Sequence, residues 1–535
     1  MKPIQIEPKA AKEAKDWKSR TTIAGSRSRS VHLSCGKRTR LSFVALVSFG
    51  VRVVALPCVL AVLLSGCTLS KPPSHAQLVT NALPASTTIP AAWIAGGATN
   101  EVVNDWLQSF HDPGLEAIVA EAMTNNLDLR QAAARVEIAQ QNVVLVGSKM
   151  TPQIGANFGY STLRDDEHEG WYGSTKGLAG VAWEPDVWGK LRAQRSAATA
   201  GYQATALDFA YARQSLAATT AKSWYLTVET SQLVTLNEES VQIYTELLAL
   251  VKTKRDLGKI SDLDVAEASG NLNAAQSSLR QAQSLAGEAR RNLEVLVGRY
   301  PAAEIKTAAN FSPLPPPIPA GLPSLLLERR PDLAAAAQVV LAAFRREEVA
   351  RLALLPSFTL NLDGGRLSDG LLSLLQLNPW MIRAAIGMYV PIYTGGALRA
   401  EVKITTAQQR QAVAGYGSAA LTAFREVENR LMNERLLGQR RAFDQDVVRD
   451  RTEAVRIAKL KYEAGSIDLL SVLQLQNDQL ASQGELIKLN NAQLANRINL
   501  HLALGGSFDV TPPAASLVAG APPRLLAGQG QVNQK

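Results

Sequence analysis

The stretch Pro152-Gln-Ile-Gly-Ala-Asn-Phe-Gly-Tyr-Ser161 carries the reading of this fold, and Pro356-Ser-Phe-Thr-Leu-Asn-Leu-Asp363 restates it 204 residues later. In each, a proline ends a helical pattern and period two takes over. Ile154, Ala156, Phe158 and Tyr160 alternate with Gln153, Gly155, Asn157, Gly159 and Ser161, and Phe358, Leu360 and Leu362 alternate with Ser357, Thr359, Asn361 and Asp363. Successive strand side chains point to opposite faces, so each segment predicts an apolar face backed by a small, polar one. Upstream, Asp128-Leu129 and Asp332-Leu333 each stand 24 residues before their proline, and Ala132, Val136 and Ala139 recur as Ala336, Val340 and Ala343. Downstream, Gly189-Lys-Leu-Arg-Ala193 recurs as Gly396-Ala-Leu-Arg-Ala400, and Gly258-Lys-Ile260 as Gly465-Ser-Ile467. Ordered blocks at a nearly constant offset predict two internal repeats.

Helices account for most of the rest. Apolar residues at helical spacing predict one helix of about 36 residues over 114–149, with Asp112 and Pro113 suited to its first turn. Return strands are expected at about 177–187 and 382–392, the fourth with ambiguous facing. No proline occurs from Val187 to Tyr300 or from Ile392 to Thr511, and each span has one repeat-matched glycine, Gly258 or Gly465, at its turn. Each span therefore predicts a long helical hairpin, whose first arm, about 188–256, would run about 100 Å at about 1.5 Å per residue. Val265, Leu272, Leu279, Ala286 and Leu293 form a heptad row on the return arm, with Ala268, Ala275, Ala282, Ala289 and Leu296 as its companion. Heptads alone also suit a soluble bundle. The alternating segments also suit an ordinary half-buried sheet, but Trp171, Tyr172, Trp183 and Trp188 in one hairpin and Trp380, Tyr389 and Tyr393 in the other fit the aromatic girdles of a membrane barrel. Four strands cannot close a barrel, and open edges are not satisfied in lipid, so the chain must oligomerise; three copies give about 12 strands around a water-filled lumen.

Leu63-Leu-Ser-Gly-Cys67 ends an apolar run preceded by a basic stretch, the layout of an export leader whose cysteine receives lipid. Residues 1–66 hold 12 of the 56 Lys and Arg but three of the 47 acids, leaving 44 of each beyond them. The basicity thus belongs to the leader, and no basic stripe for nucleic acid survives. Cys67 is the one cysteine outside the leader, so no disulfide framework is expected. The organisation reads as a signal peptide with lipobox (1–66), a lipid-anchored strap with little core (67–112) and a first repeat (113–300) with a β-hairpin at 152–187 and a tip near 258. A Pro-rich connector (301–325), a second repeat (326–505) with a β-hairpin at 356–392 and a tip near 465, and an irregular tail (506–535) follow.

The lipobox, the duplicated helix–hairpin–helix layout, Leu326-Leu-Glu-Arg-Arg-Pro-Asp332 and the turn Tyr462-Glu-Ala-Gly465 with its downstream Leu-Leu-Ser-Val-Leu together resemble TolC/OprM-type outer-membrane efflux lipoproteins. The resemblance covers essentially all of the chain beyond the leader. It implies an α+β membrane protein: a homotrimer with one 12-stranded β-barrel, four strands per chain, continued by a long periplasmic α-helical barrel. It further implies an outer-membrane exit duct, lipid-anchored at Cys67, that receives drugs or other small toxic compounds from a periplasmic adaptor and an inner-membrane RND transporter. By the same resemblance the turns at Gly258, Ile260 and Leu263 and at Gly465, Ile467 and Leu470 face the adaptor at the periplasmic tip.

Relatives often carry an aspartate in the second tip, where this chain has Val472-Leu473-Gln474. Asp264, Glu267, Asp468 and Gln474 are therefore the gate candidates, a Gln ring being less cation-binding than an acidic one. The five histidines are scattered, and no His-Glu-x-x-His, Gly-x-Ser-x-Gly or Walker sequence occurs, so neither an enzyme nor a metal or other cofactor is expected. The alternatives are a channel for type I protein secretion or metal efflux, and a poreless coiled-coil lipoprotein tether.

Overall fold

A computed structural model describes residues 70–102, 104–163, 172–368 and 381–507. The leader, Cys67, Trp171, Trp380 and the tail beyond Ser507 lie outside these residues. The two repeats follow one another as near copies. The first has α2 (Pro113–Asn125), α3 (Leu127–Ser148), strands β1 (Gln153–Leu163) and β2 (Tyr172–Trp183), then α4 (Lys190–Asp256) and α5 (Asp262–Leu296). The second has α6 (Pro323–Arg329), α7 (Pro331–Leu352), β3 (Ser357–Ser368), β4 (Met381–Tyr389), α8 (Ala397–Glu463) and α9 (Leu469–Ala503), and a short α1 (His75–Ala82) precedes both. The long arms α4 and α8 are each 67 residues, about 100 Å, and the return arms α5 and α9 are each 35.

The helix expected over 114–149 is two helices. Asn126 breaks it with an extended backbone (φ −60°, ψ 127°), caps α3 by accepting from Leu129 N at 2.9 Å, and donates to the Leu296 carbonyl at 2.9 Å. An asparagine that satisfies a helix start and a neighbouring helix end outcompetes helical continuity. The return strands also shift: β2 already ends at Trp183 and β4 at Tyr389, because Pro185 and Pro391 follow and cannot donate to a ladder. Pro323 occupies the first turn of α6, so the connector gives way to helix slightly before residue 325.

The strap contributes core, against expectation. Trp106 and Phe110, in a 3₁₀ turn, are buried with Leu115, Trp224, Tyr225, Leu293 and Ile498. Trp93 packs with Leu326, Leu333, Val427 and Leu504, and its indole donates to the Ala320 carbonyl at 3.0 Å. Each such aromatic, buried from water, contributes about 2 kcal/mol. Composition hid this, since a few aromatics in a Pro- and Ala-rich segment can anchor it without any periodicity. Helix α1 lies on α8 at Gly417, where a Cβ would meet the Ala82 carbonyl oxygen at 2.2 Å. Gly417→Ala is expected to lift α1, costing about 1–3 kcal/mol by overpacking and exposing residues 83–92 to protease; unchanged proteolysis would show that the close approach is not needed.

A third core, at the far end of the hairpins, gathers Tyr244, Val251, Ala268, Ala275, Ala458, Tyr462, Leu469, Val472 and Leu473. In α5 the alanine row (Ala268, Ala275, Ala282, Ala289) is the buried seam, while Val265, Leu272 and Leu279 are partly exposed beside it. Small residues let the long helices approach closely.

Buried polar groups staple the middle. Arg330, 3% exposed, gives Nε and Nη2 to Asp332 (3.0 and 2.8 Å) and Nη1 to Glu426 of α8 (2.7 Å) and the Ala503 carbonyl of α9 (3.2 Å). Burial disfavours its charge, but the bonds and charges of Asp332 and Glu426 prevail and raise its pKa. This is what the Glu-Arg-Arg-Pro-Asp block does in the fold. Arg497 similarly ties Glu434 of α8 to the Pro315 and Pro316 carbonyls of the connector.

His501 of α9 is 5% exposed, stacks on Trp106 (centroids 5.5 Å apart, planes at 21°), and neither ring nitrogen has a hydrogen-bond partner among the described residues. Burial, and then the Arg497 charge, push its pKa down to about 3. With the folded pKa below the unfolded value of about 6.5, its contribution is fully present above that pH and is lost as pH falls towards about 3, by about 1.4 kcal/mol per unit. His501→Leu is expected to flatten the fall in melting temperature between pH 6.5 and 4; an unchanged slope would exonerate this histidine.

Candidate functional site

Two surfaces carry the functional residues: the hairpin tips and the sheet. At both tips the helix ends in a left-handed glycine, Gly258 at φ +69° and Gly465 at φ +74°. Lys259 N bonds Lys254 O and Gly258 N bonds Arg255 O (2.9 and 2.8 Å), and Ser466 N bonds Lys461 O and Gly465 N bonds Tyr462 O (2.8 and 3.1 Å). The paired 6→1 and 5→2 bonds satisfy the last carbonyls, and the positive φ calls for glycine. Ile260 and Ile467 tuck against the tip core, whereas Leu263 and Leu470, at matching positions, project outward at 67% and 57% exposure.

The gate candidates divide. Asp264 accepts from Ser261 N and Oγ (both 2.9 Å) in a capping box, and Asp468 caps α9 through Ser471 N at 3.0 Å. The bonds from Ser471 hold the Asp468 carboxyl below the usual carboxylate range. Both carboxylates thus also serve as helix caps. Glu267 is partly exposed on α5, and Gln474, 207 residues later, occupies the equivalent exposed position on α9.

The contacts joining the hairpins come from residues that sequence reasoning missed. Tyr244 Oη of α4 donates to Asn477 Oδ1 of α9 at 2.7 Å, and Asn477 Nδ2 donates to Asn271 Oδ1 of α5 at 3.4 Å. Lys254 Nζ donates to the Tyr462 carbonyl at 3.1 Å and lies 3.7 Å from that ring's centroid. Burial pushes the Tyr244 phenol up to about 12 and, with Asp264 nearby, raises that of Tyr462.

The strands form one antiparallel sheet in the order β1-β2-β3-β4, with both outer edges unpaired among the described residues. The register aligns Ile154, Val181, Leu362 and Ala384 across it, and Trp183, Leu360 and Ile386 in the next row. The fourth strand's facing is thereby settled: Ile382, Ile386 and Met388 join the apolar face, leaving Arg383 and Tyr389 on the other. Ile154, Phe158, Ile382 and Ile386 are 76–81% exposed, so much of the apolar face is open. The opposite face carries Gln153, Asn157, Thr359 and Asn361, with Asp363 bonded to Arg383 at 2.9 Å. Trp183, Trp188, Tyr389 and Tyr393 gather at the end that meets the helices, and Trp188 Nε1 bonds the Pro356 carbonyl at 2.7 Å.

Residues 118–299 and 322–506, more than half of the chain and one block per repeat, match the outer membrane efflux protein family. The chain belongs to that family. This outer membrane efflux protein is 31% identical over 441 residues to the pyoverdine export outer membrane protein OpmQ of Pseudomonas aeruginosa, spanning 78% of this chain and 91% of the relative. It is 28% identical over 415 residues to the probable efflux pump outer membrane protein TtgC of Pseudomonas putida, at 75% and 85% coverage. Among solved structures it is similar to the CmeC outer membrane channel of Campylobacter jejuni, with a TM-score of 0.76 and 20% identity, covering 85% of this chain and 97% of that one. The outer membrane efflux protein therefore has the α+β fold of these channels, with a four-stranded sheet in each chain continued by long paired helices. It resides in the outer membrane as the channel component of an efflux system. Channels of this kind are ducts.

Proposed function

We propose that three copies of this chain assemble into the passive exit duct of a tripartite efflux system. The observation that carries the reading is the open four-stranded sheet, apolar on one exposed face and polar on the other. An edge with unpaired N–H and C=O groups is intolerable in lipid, and pairing β4 of one copy with β1 of the next through three copies removes every edge at 12 strands. The apolar face then meets lipid and the Asp363–Arg383 face the lumen.

In this reading the duct takes drugs or other small toxic compounds from a periplasmic adaptor fed by an inner-membrane RND transporter. Leu263 and Leu470, exposed beside the glycine turns, supply apolar contacts for the adaptor, and Cys67 carries an N-acyl diacylglyceryl anchor. The test is single-channel conductance of the purified protein, with oligomeric mass measured on the same sample. A trimer with small discrete steps is expected; a monomer without conductance would defeat the reading.

The gate is the ring formed at the tip by Glu267 and Gln474. Gln474→Asp would double the carboxylates in that ring, and like-charge crowding favours a bound cation. Divalent cations are expected to block the variant more strongly in planar bilayers, and equal block in both proteins would remove Gln474 from the constriction.

A further inference from the structure

Where the Pro-rich connector meets the two helical hairpins, the molecule holds a cavity of about 310 Å³. It lies between Gln232 of α4, residues 310–314 of the connector, Arg441 of α8, and Asn490, Gln493 and Leu494 of α9. Its polar groups fall into two sets. On the α4 and connector side they are already engaged. Gln232 Nε2 donates to the Ala309 carbonyl at 3.1 Å and to Asn310 Oδ1 at 3.4 Å, and Ser312 Oγ lies 2.7 Å from Tyr225 Oη and donates to Asp112 Oδ2 at 3.4 Å. On the α8 and α9 side they are not. Gln493 is 6% exposed and borders the cavity, yet its amide has no hydrogen-bond partner among the described residues. Asn490 Oδ1 and Arg441 Nε are buried and equally without partners there. The Arg441 guanidinium also makes no ion pair among the described residues, because the nearby Asp444 is taken by Arg440 at 3.4 Å.

Buried donors and acceptors are nearly always paired, so three open groups around one space call for an occupant. The space far exceeds that of one bridging water, about 30 Å³, and falls at the lower end of small-molecule sites, about 300–1,000 Å³. Arg441 is the one charged residue in the lining, and no carboxylate borders it. A guanidinium presents paired donors that match the two oxygens of a carboxylate, and a single buried cation offsets one negative charge but not two. Phe311, Leu314 and Leu494 add an apolar wall beside these polar groups.

We propose that this cavity binds a small organic monoanion, with its carboxylate on Arg441, an adjoining polar group on Gln493 and Asn490, and its apolar part against Phe311, Leu314 and Leu494. The walls come from both repeats and from the connector between them, so an occupant ties the three together and binding adds to stability. The site stands whether or not the chain conducts.

The test is calorimetric titration of the purified full-length protein with benzoate, against detergent alone, with benzamide as the neutral isostere. Saturable benzoate binding and a rise in melting temperature are expected, with benzamide about tenfold weaker. Arg441→Gln should weaken benzoate about tenfold and abolish the discrimination against benzamide, whereas Arg441→Lys, which keeps the charge without the fork, should lose less. If Arg441→Gln does not fold, Gln493→Leu probes the same cavity at similar volume and should weaken benzoate several-fold. Heat that never saturates, as from a cavity that takes only water, would overturn the proposal. So would equal benzoate binding by the wild type and these variants, benzamide as tight as benzoate, or inorganic phosphate tighter than benzoate.

Discussion

Arg330→Ala is expected to lower stability by about 3 kcal/mol, because it removes a buried cation and leaves the partly exposed Asp332 and Glu426 and the Ala503 carbonyl without their shared donor. Three elements lose their junction at once: the start of α7, the middle of α8 and the end of α9. Arg330→Lys retains the charge but not the planar fork that grips both Asp332 oxygens, so it should fall between the wild type and the alanine variant. The melting temperature of the detergent-solubilised protein and the yield of folded material read the effect. Equal melting of the alanine variant and the wild type would mean that the cluster is only a surface ornament.

Tyr244→Phe combined with Lys254→Met is expected to raise single-channel conductance several-fold while leaving the oligomer intact. The Tyr244–Asn477 bond and the Lys254–Tyr462 contacts are polar ties of the α4–α5 hairpin to the α8–α9 hairpin near the tip, added to the apolar core they share. Each hydrogen bond is worth about 1 kcal/mol net and the cation–π contact about as much, so their loss in three subunits is enough to shift a two-state constriction. Neither change removes an apolar anchor: Phe still fills the Tyr244 site, and Met retains most of the Lys254 stem. Lys254→Arg should retain most of the closure. If the double variant conducted like the wild type, these bonds would be packing details and the constriction would lie in the Glu267–Gln474 ring alone.

Much of the chain was legible because its signals are local. Pro152 and Pro356 mark helix-to-strand transitions, Gly258 and Gly465 mark turns that need positive φ, and the alternation after each proline states which face is apolar. Where local signals were thin or competed, the reading went astray. Asn126 looked like one more polar residue on a helix until its side chain was seen bridging Leu129 and Leu296. Trp93, Trp106 and Phe110 looked like scattered aromatics in a strap until the cores they enter were in view. Asp264 and Asp468 stood out by charge and position near the tip, and only their side-chain bonds reveal that each also caps its helix.

The sequence by itself determined the duplication, the faces of the first strand in each hairpin, the lengths of the helical hairpins and the family, since each follows from spacing along the chain, whereas the facing of β4 needed the register of the sheet. Tertiary structure alone decided which polar residues work together. Tyr244 and Asn477 are 233 residues apart, Ser70 and Glu348 278, and Arg330 and Ala503 173. Hydrogen bonds act over about 3 Å, and no periodicity records a partner that only the packing of two repeats brings within that range.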